Sequence, residues 1–249
     1  MEVKVTGHLE QLRDALTRNG RLRVAINLGN PVLAQRSDKG ELGGVSVALA
    51  RTLAEQLQVT LAISEYDAAG KVVAAREEED SWDLAFLARD PKRAESIAFT
   101  SPYVIIEGTY LVSQNSGFSG VQQLDAPGVS IAVGKGAAYD LFLSRTLKHA
   151  SVVRAPTSAD AVTWMVDQQL DAAAGVRQPL ERYCRENPGY RVLEGRFTTI
   201  EQAMAVPREH ADVLEALETF LREARESGLI HEALHQSGQS PSIAAPNPG

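Results

Sequence analysis

The sequence predicts an α/β fold made of two successive β-α-β halves closed by helices, and three observations predict it. Short apolar, β-branched segments alternate with helical-period segments from Arg21 to Leu87. The same alternation restarts at Val129, after a turn-rich stretch, and runs to Gly175. From Val213 to Ala224 one apolar stripe continues at helical spacing. Strands alternating with helices imply a parallel sheet covered by helices.

Leu9, Leu12 and Leu16 share one face of an opening helix, which Asn19-Gly20 ends because Gly tolerates the left-handed position past a last turn. Arg21–Asn27 (RLRVAIN) reads as a buried strand, followed by a Gly-, Pro- and charge-rich loop to Gly43-Gly44. Val45, Leu49, Leu53 and Leu57 recur every four residues, predicting a helix over Val45–Gln58. Val59–Tyr66 is the next strand, Lys71–Glu79 a helix and Trp82–Leu87 a strand. The chain is then extended over Ile97–Val112, interrupted at Ser101-Pro102, and loops from Asn115 to Gly128. Val129–Val133 is a strand, Gly134 and Gly136 form a turn, Ala137–Leu147 is a helix and Ser151–Arg154 a strand. Thr157 and Ser158 can cap a helix over Ala159–Gln169, with Asp160 suiting the dipole of its first turn. Leu170–Gly175 is a strand. Gly228 interrupts the final stripe, and Leu229–Leu234 is one more short helix.

A formal charge of −7 over 249 residues, with no basic cluster, excludes nucleic acid as a main partner. Cys184 is the single cysteine, so no internal disulfide exists and the thiol reads as a small buried hydrophobe. No apolar run approaches the ~18 residues of a membrane span. The segment Met1–Leu22 lacks the apolar core of a secretory leader. Two expectations follow: cytoplasmic residence if Met1 is the native start, or the periplasm if a leader has been removed. His231 and His235 share a helix face but have no third ligand nearby, so no metal is expected. Gly134-Lys135-Gly136 opens like a dinucleotide fingerprint, but Tyr139 stands where the third Gly belongs. No cofactor is expected.

Six segments, in order, carry a resemblance: Leu42–Ala50 before the first long helix, Trp82-Asp83-Leu84-Ala85-Phe86, Arg93–Tyr103 (RAESIAFTSPY), Val129–Gly136, Leu170–Gly175, and Glu226–Ile230. Together, over Leu22 to Leu234, they resemble the polar amino-acid family of periplasmic solute-binding proteins. The resemblance implies a two-lobed, type II periplasmic-binding-protein-like fold whose discontinuous lobes are joined by two crossing strands, near Gly108–Leu111 and Met204–Val206. Lobe 1 would comprise residues 1–108 and 206–235 and lobe 2 residues 109–205, with 236–249 a disordered tail. The implied function is binding of a small anionic solute, amino-acid-like or an organic acid, between the lobes. The protein would then serve an ABC permease as a monomer.

The resemblance also implies site residues. Arg93 matches the family arginine that grips the ligand carboxylate in a planar, two-toothed pairing. Arg89 and Lys92 flank it as solvated charges. Gly136, Ala137 and Ala138 form a strand-to-helix turn whose amides favour an anion. Where the family places an acid for the ligand ammonium, this chain has Val176, with Arg177 beside it. The loop from Asp83 to Arg93 is about two residues shorter than the family's, and the aromatic after the first strand is absent. An organic anion without an α-ammonium is therefore expected, unless Glu201 replaces the lost acid. Asn30 and Gln202 are further polar candidates, whereas Tyr103, Trp82 and Trp164 read as packing residues. Two alternatives share the fold. One is a cyclohexadienyl dehydratase-like enzyme, which the stretch Ile200–Arg208 (IEQAMAVPR) resembles. The other is a non-exported sensor or scavenger, although Met1–Asn19 is too short for a helix-turn-helix.

Overall fold

The structure, a computed structural model, describes residues 7–78 and 81–247; the leader question at Met1 and the expected helix end at Glu79 lie outside them. In chain order the elements are α1 (Gly7–Leu16), β1 (Thr17–Arg18), β2 (Arg21–Asn27), β3 (Gln35–Arg36), β4 (Leu42–Gly43), α2 (Val45–Leu57), β5 (Thr60–Tyr66), α3 (Ala69–Ala74) and β6 (Leu84–Ala88). There follow β7 (Ile97–Ser113), β8 (Ser130–Gly134), α4 (Ala138–Thr146), β9 (Ser151–Ala155), α5 (Ser158–Asp167) and β10 (Ala172–Val176). The chain ends with α6 (Arg177–Glu186), β11 (Tyr190–Val192), β12 (Thr198–Pro207), α7 (Leu214–Glu226) and α8 (Leu229–Gln236). They group into two compact units: unit 1 is Met1–Tyr66, Val72–Ile105 and Glu201–Gly249, and unit 2 is Asp67–Lys71 and Ile106–Ile200. The long strands β7 and β12 carry the chain from one unit to the other.

In unit 1, β2 pairs in parallel with β5 and with β6, and β6 pairs antiparallel with β12. Leu22, Val24 and Ile26 meet α2's Leu49, Leu53 and Leu57 in a core where each is fully buried. The turn into α2 depends on Gly44. At its φ of 105° an added Cβ would lie 2.4 Å from the Leu33 carbonyl oxygen, so no other residue fits without moving the chain. In unit 2, β8 pairs in parallel with β9 and β10, while β7 pairs antiparallel with β10 and with β11. Leu111, Ala132, Ala161, Met165, Ala173 and Leu180 form its core.

The same device registers the two parallel sheets. Asp83 accepts the backbone N–H of Arg23 at 3.1 Å while its own N–H donates to the Arg23 carbonyl at 2.9 Å. Asp171 repeats this with Ser130, at 2.8 and 3.1 Å. These aspartates, prominent in the Trp-Asp and Leu-Asp segments, hold strand entries together; Asp83 adds a two-point pair with the Arg23 guanidinium.

Three expectations are corrected. β7 runs unbroken through Ser101-Pro102, where side chains of α7 bond the Ser101 N–H and the Pro102 carbonyl. Ser101 donates from N and Oγ to the Glu218 carboxylate, and Arg225 donates to the Pro102 carbonyl at 2.8 Å. Second, α6 and β11 form where no element was expected. Pro179 sits in the first helical turn, where its missing N–H costs no bond, and Leu180, Tyr183 and Cys184 face the unit 2 core. Third, the tail expected to be disordered is ordered as far as it is described. Pro241–Ile243 form a short 3-10 helix, Ala244 bridges to Val104, and buried Ala245 donates to the Tyr103 carbonyl at 3.0 Å.

Candidate functional site

In unit 1, β2 and β6 run in parallel, so Asn30 and Arg93 both follow the C-terminal ends of adjacent strands, where open α/β sheets bind ligands. Arg93 is only 3% exposed, and its Nη1 donates to the Ala88 carbonyl at 2.9 Å. Burial pulls the guanidinium down to about 10, against the opposing charge of Asp90. Asp90, also buried, accepts the Lys92 N–H at 2.9 Å on its side chain and the Ala94 N–H on its carbonyl, which closes the short loop around Arg93. Gln202 pairs across the ladder with Ala88, the residue that holds Arg93. It is 5% exposed. Asn30 turns its side chain back on its own loop, Oδ1 accepting the Val32 N–H at 3.3 Å.

Glu201 and Arg89 engage each other. Arg89 Nη1 donates to Glu201 Oε2 at 3.1 Å, and the Arg89 N–H donates to the Glu201 carbonyl at 2.8 Å. Both side chains are about half exposed. Arg89, about half exposed, is thus the ion-pair partner of Glu201. Lys92 is exposed.

In unit 2, the turn from Gly134 to Ala138 adopts a conformation with Gly136 at φ 72° and Ala137 capping α4. Its amides are largely spoken for. Lys135 N–H donates to Ala155, Ala137 N–H to Gly134, and Gly136 N–H to Asp140 Oδ2 at 2.8 Å. Asp140 is 3% exposed and is held by Arg154 Nε at 3.0 Å and by Ser144 Oγ at 3.1 Å. Ala138 and Tyr139, the first residues of α4, lack intrahelical acceptors for their amides. The Tyr139 hydroxyl donates to Ser158 at 2.7 Å, and burial pushes it up to about 12.

Val176 ends β10 opposite Gly108, and Arg177 opens α6. Arg177 does not project a bare charge: Nε donates to Glu107 Oε2 at 2.7 Å, Nη2 to the Gly195 carbonyl, and Glu181 lies 3.8 Å away. Arg196 Nη1 donates to the other Glu107 oxygen at 2.7 Å. The hydrogen bond from Arg177, then that from Arg196, holds the Glu107 carboxyl below the usual carboxylate range. Sequence reading missed Glu107 and Asp140. Asp140 had a local signal, its four-residue spacing from Gly136, whereas Glu107 lies 70 residues from Arg177 and had none. Among the described residues no group of three or more His, Cys, Asp or Glu is placed to hold a metal ion. No helix among them is long and apolar enough to cross a membrane.

Residues 22–238 match the family described as bacterial extracellular solute-binding proteins, family 3. A curated relative, a cyclohexadienyl dehydratase of Pseudomonas aeruginosa, is 24% identical over 231 residues, covering 90% of this chain and 85% of its own. Among solved structures, the amino acid ABC transporter substrate-binding protein AbpA from Streptococcus pneumoniae, bound to L-arginine, aligns with TM-score 0.77 at 21% identity. That alignment covers 93% of this chain and all of AbpA. Holo ArgBP from T. maritima aligns with TM-score 0.72 at 23% identity over 87% of this chain and 93% of its own. AncCDT-1, an ancestral amino acid-binding protein and precursor of cyclohexadienyl dehydratase, aligns at 0.73 and 20% over 92% and 98%. At these identities the structural likeness carries the fold, which is the type II periplasmic-binding fold.

Proposed function

Because the chain belongs to the bacterial extracellular solute-binding proteins, family 3, we propose that it binds a small carboxylate-bearing solute and delivers it to an ABC permease. Arg93 carries the reading. Its planar fork matches a carboxylate in a way a lysine cannot, and an ion pair gains strength where burial has excluded water. Gln202, in the same unit as Arg93, is the neutral polar group that would complete recognition. The solute we favour has no α-ammonium group. Val176 offers no counter-charge, and the nearby carboxylate, Glu107, is already shared by two arginines. Arg177 itself, balanced by Glu107 and Glu181, would not repel an amine, so the preference rests on the missing acid alone.

A thermal-shift screen tests this by comparing amino acids with matched amine-free carboxylates. A solute at a hundred times its Kd adds about 2.7 kcal/mol. Stabilisation by amine-free acids is expected, and stabilisation by amino acids alone would refute the ammonium-free preference. Arg93→Ala should weaken binding by roughly 3–5 kcal/mol, and unchanged affinity would remove Arg93 from the site.

The dehydratase relative favours a second reading, that this chain is an enzyme. General acid chemistry needs a carboxyl that can give up a proton. Glu201, which the sequence offered for that role, instead accepts from Arg89 as an exposed ion-pair partner. Binding without catalysis is therefore the reading we adopt. Formation of an aromatic product from prephenate or arogenate would reverse it.

A further inference from the structure

We propose that Pro241–Ala245 is an edge cap: it closes the free edge of β7 within unit 1 and keeps that edge from pairing with a second copy of this chain. This role needs neither a solute nor Arg93. In unit 1 the strand beside β7 is β12, whereas its other partners, β10 and β11, meet it only from Gly108 onward. Before Gly108, no other named strand among the described residues covers β7. An uncovered edge presents backbone N–H and C=O groups that another chain can take up. The segment at stake, Tyr103-Val104-Ile105-Ile106, is aromatic and β-branched throughout, a composition suited to strand pairing. Just upstream the edge is already blunted. Pro102 has no N–H to give, and the Ser101 N–H donates to Glu218.

The segment past α8 takes over at Tyr103. Ala244 bridges to Val104 in the antiparallel sense, and the Ala245 N–H donates to the Tyr103 carbonyl at 3.0 Å. Ala245 is 6% exposed, so water competes little for that bond. What sets this segment apart from an ordinary added strand is the use of its remaining donors. The Ile243 N–H goes to the Ser240 carbonyl at 3.3 Å and the Ala244 N–H to the Pro241 carbonyl at 3.1 Å, both inside the 3-10 turn. Pro246 has no N–H. Over these four residues the one donor given to a strand is that of Ala245, and β7 receives it. The segment therefore pairs with β7 and offers a further strand nothing to accept, which ends the sheet. An edge left open on two copies is its own complement, because the same strand in a twofold pair meets itself antiparallel. A second copy of this chain is thus the partner that fits the uncapped edge.

The test compares the full chain with a chain stopped after Gln239, whose N–H bond to the Leu234 carbonyl closes α8 and is kept. Two full-length variants accompany it: Ala245→Pro, which lacks the donor to β7, and Ala245→Gly, which retains it. Amide hydrogen exchange over Val104–Ile106 is read first, in dilute solution. It should quicken by about tenfold or more in the stopped chain and in Ala245→Pro, while Ala245→Gly stays close to wild type. Unchanged exchange in the stopped chain overturns the cap; should that chain fail to fold, Ala245→Pro decides in its place. Sedimentation velocity over a rising concentration series is read next. The uncapped chain should associate at concentrations about tenfold below those at which wild type does. In the concentrated sample the Val104–Ile106 amides should exchange slowly again, because pairing between copies covers them. No added association, or association that leaves these amides fast, overturns the guard against a second copy.

Discussion

In unit 2 the Glu107 carboxylate serves two guanidinium groups, and the pairing has a definite pH signature. Arg177 and Arg196 hold its folded-state pKa below the unfolded value of about 4.3. The stability it contributes is therefore fully present above that value and is lost as pH falls through the depressed folded value. With the side chain one-third exposed, the gain is below about 1 kcal/mol. Glu107→Gln should thus be slightly less stable than wild type at neutral pH, with the gap closing in acid. Urea melts at neutral and acidic pH would show this, and a gap independent of pH would refute it. The same residues mark what a sequence discloses at this scale. Arg93 could be singled out because its segment has a recognisable order, RAESIAFTSPY. That Arg177 is neutralised could not be, because its partner comes from a strand 70 positions away and no local pattern announces it.

Among the elements, the helices that bury one long apolar face were legible almost to the residue. For α2 the four-residue recurrence ends at Leu57, and Gln58 closes it in the left-handed conformation. For α5 the cap is a reciprocal pair. Thr157 Oγ1 accepts the Asp160 N–H at 3.1 Å, and the Asp160 carboxylate accepts the Thr157 N–H at 3.1 Å. Removing one partner leaves a helix-start N–H unsatisfied, so Thr157→Ala should cost about 1 kcal/mol, a Tm drop of about 2–4 °C. Thr157→Ser, which keeps the hydroxyl, should recover most of it, and calorimetry of the two variants distinguishes a cap from mere packing. By contrast α6 was not legible, because its sequence, RQPLERYCRE, exposes most of its surface and fully buries only Leu180. The ends of β6 were displaced for a different reason. Trp82 and Asp83 look like strand residues but lie before it: Trp82 Nε1 donates to the Val72 carbonyl at 2.9 Å, and Asp83 clamps Arg23.

For the whole molecule, continuity along the chain separates the two units. Unit 2 is contiguous from Ile106 to Ile200 apart from the five-residue segment Asp67–Lys71, whereas unit 1 is assembled from pieces on either side of it. Charge follows the same division. Unit 2 holds ten Lys and Arg against ten Asp and Glu, so the whole formal charge of −7 lies on unit 1. The alternation of strands and helices foretold two α/β halves. That the chain returns to finish the first came from family resemblance, since strand order cannot be read from periodicity. The division makes a folding prediction. A fragment spanning 106–200 keeps β7's partners β10 and β11, the core around Leu111, Met165 and Leu180, and the Glu107 cluster. Asp125, which accepts the amides of Lys148, His149 and Ala150, also stays with it. Such a piece meets the conditions for an independent domain. A fragment ending at Ile105 does not, since β6 loses β12 along one edge and the core loses Leu217, Phe220 and Leu221. The 106–200 fragment should melt cooperatively with near-ultraviolet dichroism from Trp164 and its tyrosines, at a lower Tm than the whole chain. The 1–105 fragment should show neither. If 1–105 folds alone, or 106–200 does not, the units are not the folding units their contacts suggest. The two crossing strands would then belong to a single cooperative structure.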